Sequence, residues 1–166
     1  MPAVPDATSI DEHAMDIDPP LLKTMLDERA ILRTLYSYGH AIDYGEEARW
    51  VDCFTEDGVF HVQYAGNVQP MRLEGRIALA AFVAGHPRAP ETLHKHLLLN
   101  PLIDIEGDMA SVASYFEMLL EIEGLPETYC FGRYLDRMRR CADGVWRFVE
   151  RRAEVQSGRP DFPQRR

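Results

Sequence analysis

The chain has 166 residues, 46% of them hydrophobic and 27% charged, enough for one compact domain around one sizeable core. A formal net charge of −9 excludes nucleic acid as the natural partner, because neutralising a phosphate backbone takes a clustered positive face. Cys53, Cys130 and Cys141 are odd in number and form no C-x-x-C pair, which argues against a disulfide framework or a zinc knuckle. A start rich in proline and acid, and the lack of any membrane-length apolar run, predict a cytoplasmic protein with no membrane partner.

The first twenty residues show no periodicity and carry Asp6, Asp11, Glu12, Asp16 and Asp18, so they read as a flexible acidic arm ending at Pro19 and Pro20. Residues 21–156 read as a single domain, and "SGRPDFPQRR", residues 157–166, as a flexible tail. Leu22, Met25, Leu32, Leu35 and Ile42 recur at intervals of three and seven, predicting a long helix from Pro20 to about Tyr44 and Gly45. A short helix over "EEARWVDCF" follows, then the turn "TEDG", a strand over "VFHVQYAG", a short "MRLEG" and a third helix over "RIALAAFVAG".

The second half differs in kind. Thr92–Ile105, Ala110–Glu121, Thr128–Arg140 and Val145–Val155 read as long strands joined by the turn-like "EGD", "EGLPE" and "CADG". Helices first and strands afterwards predict an α+β domain: a curved antiparallel sheet covered by three N-terminal helices and enclosing a pocket.

Within "TLHKHLLLNPLIDIEGD", alternation puts His94, His96, Leu98 and Asn100 on one face, with the two rings roughly 7 Å apart along the strand. Imidazole is the readiest general base at neutral pH. Two histidines could also begin a metal site, but neither H-E-x-x-H nor a C-x-x-C partner stands nearby to complete it, so no metal and no cofactor are expected. At the end of the first helix Tyr36 and Asp43, seven apart, share a face with Leu32 and Gly39, and Tyr38 lies to the side. A buried aspartate there needs a partner; the alternative is that it caps the next helix. Were Asp43 to meet His96, it would hold one ring nitrogen and leave the other to take a proton. No nucleophile motif accompanies the pair. Arg151 or Arg152 could present a fixed cation at the end of the last strand. Trp50, Phe54, Phe60, Phe82, Tyr115, Met118 and Phe131 are candidate pocket-lining residues, whereas His40, His61 and His86 have no pairing signal.

The pieces "LYSYGHAIDYGEEARWVDCFTEDGVF", "LEGRIALAAF", "HLLLNPLIDIEGDMASVASY" and "RYLDRMRRCADGVWRFVERR" together resemble the SnoaL-like branch of the nuclear transport factor 2-like superfamily, from about residue 35 to 152. The sequence is most similar to the group holding hexachlorocyclohexane dehydrochlorinase, scytalone dehydratase and bile acid 7α-dehydratase, which implies a cone-shaped fold and an Asp–His dyad working without a cofactor. Carried across, the Y-x-x-x-x-D context falls on Tyr38 and Asp43, and a histidine four residues before a polar residue falls on His96 before Asn100. An arginine counted from Trp146 falls on Arg151, or one residue further on Arg152. His94 loosely resembles a second histidine that scytalone dehydratase brings from another strand. The chain departs from the steroid isomerases, since Val59, Phe60, His61 and Val62 stand where their basic aspartate would lie. The resemblance therefore implies a lyase, a dehydratase or related elimination enzyme, acting on a mainly apolar, oxygenated small molecule as a homodimer or homotrimer. Isomerases and cyclases share its proton transfers. Noncatalytic members, such as small subunits of ring-hydroxylating dioxygenases and ligand-binding modules, are the alternative.

Overall fold

A computed structural model describes residues 18–66 and 68–159. Residues 160–166 of the expected tail and 1–17 of the expected arm lie outside the described residues, while Ser157 and Gly158 of that tail belong to the last strand and Pro19 and Pro20 of that arm to the first helix, which corrects both boundaries. Helix α1 spans Pro19–Tyr44, opening on prolines whose missing N–H costs nothing in a first turn. It ends where Gly45 adopts a left-handed φ of 69° and returns its N–H to the Ala41 carbonyl. Its buried stripe is Asp27, Ile31, Thr34, Leu35, Tyr38, Ala41 and Ile42, the i, i+3, i+4, i+7 pattern of a core-facing helix. Leu22 and Met25, expected on that face, are exposed; the helix begins to bury side chains only at Asp27.

Helix α2 (Glu47–Asp52) leads into β1 (Phe54–Gln63), β2 (Met71–Glu74) and α3 (Gly75–Ala84). The four long strands follow as β3 (His94–Glu106), β4 (Met109–Ile122), β5 (Leu125–Arg140) and β6 (Trp146–Gly158). The predicted turn "TEDG" is absorbed into β1 as a register shift between Phe54 and Val59. The sheet is six-stranded and unclosed, in the order β2-β1-β6-β5-β4-β3. Most neighbours are antiparallel, but β1 and β6 run parallel, a correction to the wholly antiparallel expectation. The strands of the meander alternate in direction through three tight connections, whereas β1 and β6 are joined only through β2, α3 and β3 to β5, a connection long enough to permit a parallel pairing.

The helices close over one face of this curved sheet, α1 against β3 and β6 and α3 against β1. Two buried hydrogen bonds cross the seam between α1 and β6. The Thr34 hydroxyl donates to the Trp146 carbonyl at 2.6 Å, and the Trp146 indole N–H donates to Asp27 Oδ1 at 3.2 Å. These bonds are each worth about 1 kcal/mol, and they pin the middle of α1 to the start of β6. Among the described residues no helix is long and apolar enough to cross a membrane.

A bulge between Leu99 and Leu102, with Asn100 at a φ of 49°, inverts the alternation along β3. Leu98 packs inward before it, and Ile103 and Ile105 pack inward after it. Asn100, expected beside the histidines on the inner face, is exposed at the bulge.

Candidate active site

Two elements far apart in sequence build the site. Gly39 lets α1 approach β3 closely, since a Cβ there would stand 3.0 Å from the His96 carbonyl oxygen. One turn further on, the helix delivers Asp43, buried and facing β3. The His96 backbone N–H donates to both carboxylate oxygens at 3.2 Å, and the ring Nδ1 lies 2.7 Å from Oδ1. A carboxylate at a helix C-terminus is opposed by the helix dipole; three donor contacts from one strand residue offset that cost. With Nδ1–H donated to Asp43, the imidazole lone pair is on Nε2, the nitrogen away from the carboxylate.

His96 lines a cavity of about 530 Å³. His94, two residues earlier on the same face, is only 1% exposed and places Nε2 3.4 Å from Asp43 Oδ1. Neither of its ring nitrogens has a hydrogen-bond partner among the described residues. Burial, reinforced by His96, holds His94 below the usual imidazole range, at about 4. His86, just past the end of α3, completes a cluster whose ring centroids stand 5.3 Å (His94–His96), 5.4 Å (His86–His94) and 5.9 Å (His86–His96) apart. Burial, then the two neighbouring rings, takes His86 down to about 3. Sequence reasoning left His86 unassigned. The available signal was its place seven residues after buried Leu79 and four after cavity-lining Phe82, in phase with the inner face of α3.

The rest of the wall is apolar and aromatic, including Phe60, Phe82, Phe116 and Met118, with the phenols of Tyr38 and Tyr134. Phe116 stacks on Tyr134 with centroids 4.6 Å apart. Burial raises both phenols far above their usual range, so each keeps its proton and can donate it in a hydrogen bond. The Cys130 thiol in the same wall is pushed up to about 12 by burial and is no nucleophile at neutral pH.

Of the two arginines left open, Arg151 faces inward with no exposure, and Arg152 points out. Arg151 does not front the cavity as expected. It lies beneath the wall, with Nε and Nη2 paired to Asp136 at 3.0 and 2.8 Å, its guanidinium 4.2, 4.0 and 4.2 Å from the rings of Tyr38, Tyr134 and Phe148. Burial works against the charge, but the Asp136 carboxylate outweighs it and holds Arg151 protonated above its usual range.

The other sequence-derived positions divide. Phe60, Met118 and His94 line the cavity, and Tyr38 does so in place of Tyr36. Tyr36 is 50% exposed because it lies about 160° round the helix from Tyr38 at 3.6 residues per turn. Tyr115 and Phe131 are on the outer face of the sheet. Tyr115 stands an odd number of residues from Met118 on one strand, so the two cannot share a face. Trp50 and Phe54 are fully buried one layer behind the cavity, where Trp50 packs against Tyr38, Phe54, Phe60 and Phe82 at 5.0–5.9 Å between centroids. They support the lining without forming it.

Helices folded over an open, curved sheet with a cavity between them make the fold of the nuclear transport factor 2-like α+β cones. Within it, a family model described as the SnoaL-like domain matches residues 23–152, and the chain belongs to that family. Solved structures of similar fold come from Novosphingobium aromaticivorans. One is an NTF2-like protein with a cystatin-like fold, 23% identical over 87% of this chain and 94% of that one, TM-score 0.71. A second is named as the β subunit of a candidate aromatic-ring-hydroxylating dioxygenase, 22% identical over 82% and 93%, TM-score 0.70. A third is named as a candidate scytalone dehydratase, 23% identical over 81% and 87%, TM-score 0.65. No curated protein matches the chain.

Proposed function

We propose that the protein is a cofactor-independent lyase, a dehydratase or related elimination enzyme, that uses the Asp43–His96 dyad on an oxygenated, mainly apolar small molecule. The observation that carries this reading is the 2.7 Å contact between Asp43 Oδ1 and His96 Nδ1 at the wall of a cavity of about 530 Å³. Asp43 fixes the tautomer in which Nε2 is the base and stabilises the imidazolium that forms. His96 Nε2 takes a proton from carbon, the C–H electrons become the new double bond, and the leaving hydroxyl accepts the proton from the imidazolium and departs as water. Tyr38, kept protonated by burial, donates a hydrogen bond to the substrate oxygen. Arg151 acts from behind, its charge set against the Tyr38 and Tyr134 rings, favouring negative charge that develops on an oxygen held by those phenols. Isomerisation and cyclisation draw on the same proton transfers and are separated by whether water is lost.

The name of the scytalone dehydratase-like neighbour agrees with this reading at the level of fold. Three free cysteines suit the reducing cytoplasm, and the exposed Leu99, Leu102, Tyr115 and Phe131 support the expected homodimer or homotrimer through the outer face of the sheet.

The test is a screen of hydroxylated and carbonyl-bearing polycyclic compounds for loss of water, followed by kinetics of His96→Ala and Asp43→Asn. A positioned general base is worth roughly 10²- to 10⁴-fold, and each variant should lose turnover on that scale while keeping the fold. Unchanged turnover in both would remove the dyad from the mechanism. Sedimentation equilibrium of the full chain would show a dimer or trimer, and a monomer at all concentrations would refute the assembly.

A further inference from the structure

His94 is not accounted for by the dyad. It is buried to 1% exposure at the cavity wall, both ring nitrogens lack a partner among the described residues, and Nε2 points to within 3.4 Å of the carboxylate oxygen that His96 already engages. A buried polar group without a partner costs on the order of 1–3 kcal/mol, and nothing in the dyad chemistry offsets it. Asp43, His94 and His96 each offer one ligand atom, and the three atoms all lie within 4.8 Å of one another.

We propose that Asp43 Oδ1, His94 Nε2 and His96 Nδ1 form a facial binding site for a divalent transition-metal ion of the zinc type, and that an ion bound there switches the dyad off. At metal–ligand distances of about 2.0–2.1 Å, ligand atoms stand about 3.0 Å apart in an octahedral site and about 3.4 Å apart in a tetrahedral one. The contacts of 3.4 Å from His94 and 2.7 Å from His96 to the shared oxygen bracket that range, so the His96–Asp43 edge must open by a few tenths of an ångström, and the edge between the two imidazoles, within 4.8 Å, must close into the same range as the rings turn toward the ion. The carboxylate is held through that change by the His96 backbone N–H, which reaches both oxygens. Two imidazoles and one carboxylate suit zinc or cobalt better than calcium or magnesium, which prefer an all-oxygen shell. The remaining coordination positions face the cavity, where water or a substrate oxygen would complete them.

The inhibition follows from the tautomer, and this part rests on the dyad reading. An ion on Nδ1 needs that nitrogen's lone pair, so the ring proton moves to Nε2, and no proton is released or consumed. A ring protonated at Nε2 cannot accept the substrate's proton. Ion binding and the base-competent form of His96 are therefore mutually exclusive. The sequence hid this site because its third ligand lies 53 residues before His96 and is brought there by the fold.

The experiment adds Co²⁺ to the metal-free full-length chain and records visible absorption. One equivalent should give ligand-field bands that excess Zn²⁺ bleaches, and His94→Gln should lose them at the Co²⁺ concentration that saturates the parent, whereas His86→Gln should keep them. A second readout in the parent protein guards against a variant that fails to fold: Zn²⁺ should shift the His94 Nε2 and His96 Nδ1 resonances in a ¹⁵N spectrum. Absence of bands in the parent, retention of bands in His94→Gln, or Zn²⁺ shifts confined to other histidines would each overturn the site. Because none of these readouts needs a substrate, loss of the metal site leaves the dyad proposal standing. Failure of the dyad would leave the binding site and remove only its inhibitory consequence.

Discussion

The cone holds two buried aspartate pairs that look alike in composition and differ in what they can do. Asp43 meets His96 between a helix and a strand, at the wall of the cavity. Asp136 meets Arg151 across adjacent strands, one layer below, with both side chains at 0% exposure. A guanidinium does not give up its proton in a protein, so the lower pair is a fixed dipole under Tyr38 and Tyr134. An imidazole can lose and regain one, so the upper pair can move a proton. Burial alone does not mark a catalytic carboxylate; the partner's chemistry and its access to the cavity do.

The lower pair should carry the larger stability effect. Removing one partner of a buried ion pair strands the other charge and costs about 3–5 kcal/mol, so Arg151→Met should lower the unfolding free energy by that amount in a denaturant titration. The double variant Arg151→Met/Asp136→Leu should recover much of it, because a matched apolar pair leaves no stranded charge. A single variant as stable as the parent would mean that Asp136 is neutral in the fold.

The histidine cluster sets an acid limb of smaller size. His94 and His86 bind protons less readily when folded, at about 4 and about 3 against an ordinary value of 6.5. Below the ordinary value the unfolded chain takes up protons that the folded one refuses. Their contribution is thus complete above about pH 6.5 and erodes as pH falls toward about 4 and then about 3. His94→Gln should flatten the loss of stability between pH 6.5 and 4, by about 2 kcal/mol over the window. Equal slopes in parent and variant would contradict the depressed value.

Gly39→Ala probes the approach that brings the upper pair together. Helix propensity favours alanine by about 1 kcal/mol, whereas its Cβ would press on the His96 carbonyl at 3.0 Å. The two effects should nearly cancel in stability, while turnover falls roughly tenfold or more as His96 is displaced. Tyr36→Ala is the smallest change: on an exposed face, it should shift stability by no more than about 0.5 kcal/mol and leave turnover intact.

Much of the fold was legible in the sequence because its signals are local. Apolar spacing located the helices, and four long runs of β-formers with turn residues between them located the meander. What local pattern could not supply was phase and partnership. The spacing along α1 selected Leu22 and Met25, which are exposed, and placed Tyr36 inward in place of Tyr38, because several helical stripes fit so apolar a stretch. The Asn100 bulge inverts the alternation of β3, and the parallel β1–β6 pairing depends on a crossover that no single segment encodes. Asp43 and His96 were singled out through a resemblance, and the fold brings them to 2.7 Å. His86 and Asp136 were missed because their neighbours are supplied by other elements.

The most direct test of the central claim needs no substrate. Long-range ¹H–¹⁵N correlation of the histidine rings near neutral pH reports which nitrogen of His96 carries the proton. The account predicts that the neutral form of the ring carries its proton on Nδ1 and leaves Nε2 bare, a preference that Asp43→Asn should abolish. A proton on Nε2 in the parent protein, or the same tautomer in parent and Asp43→Asn, would contradict it.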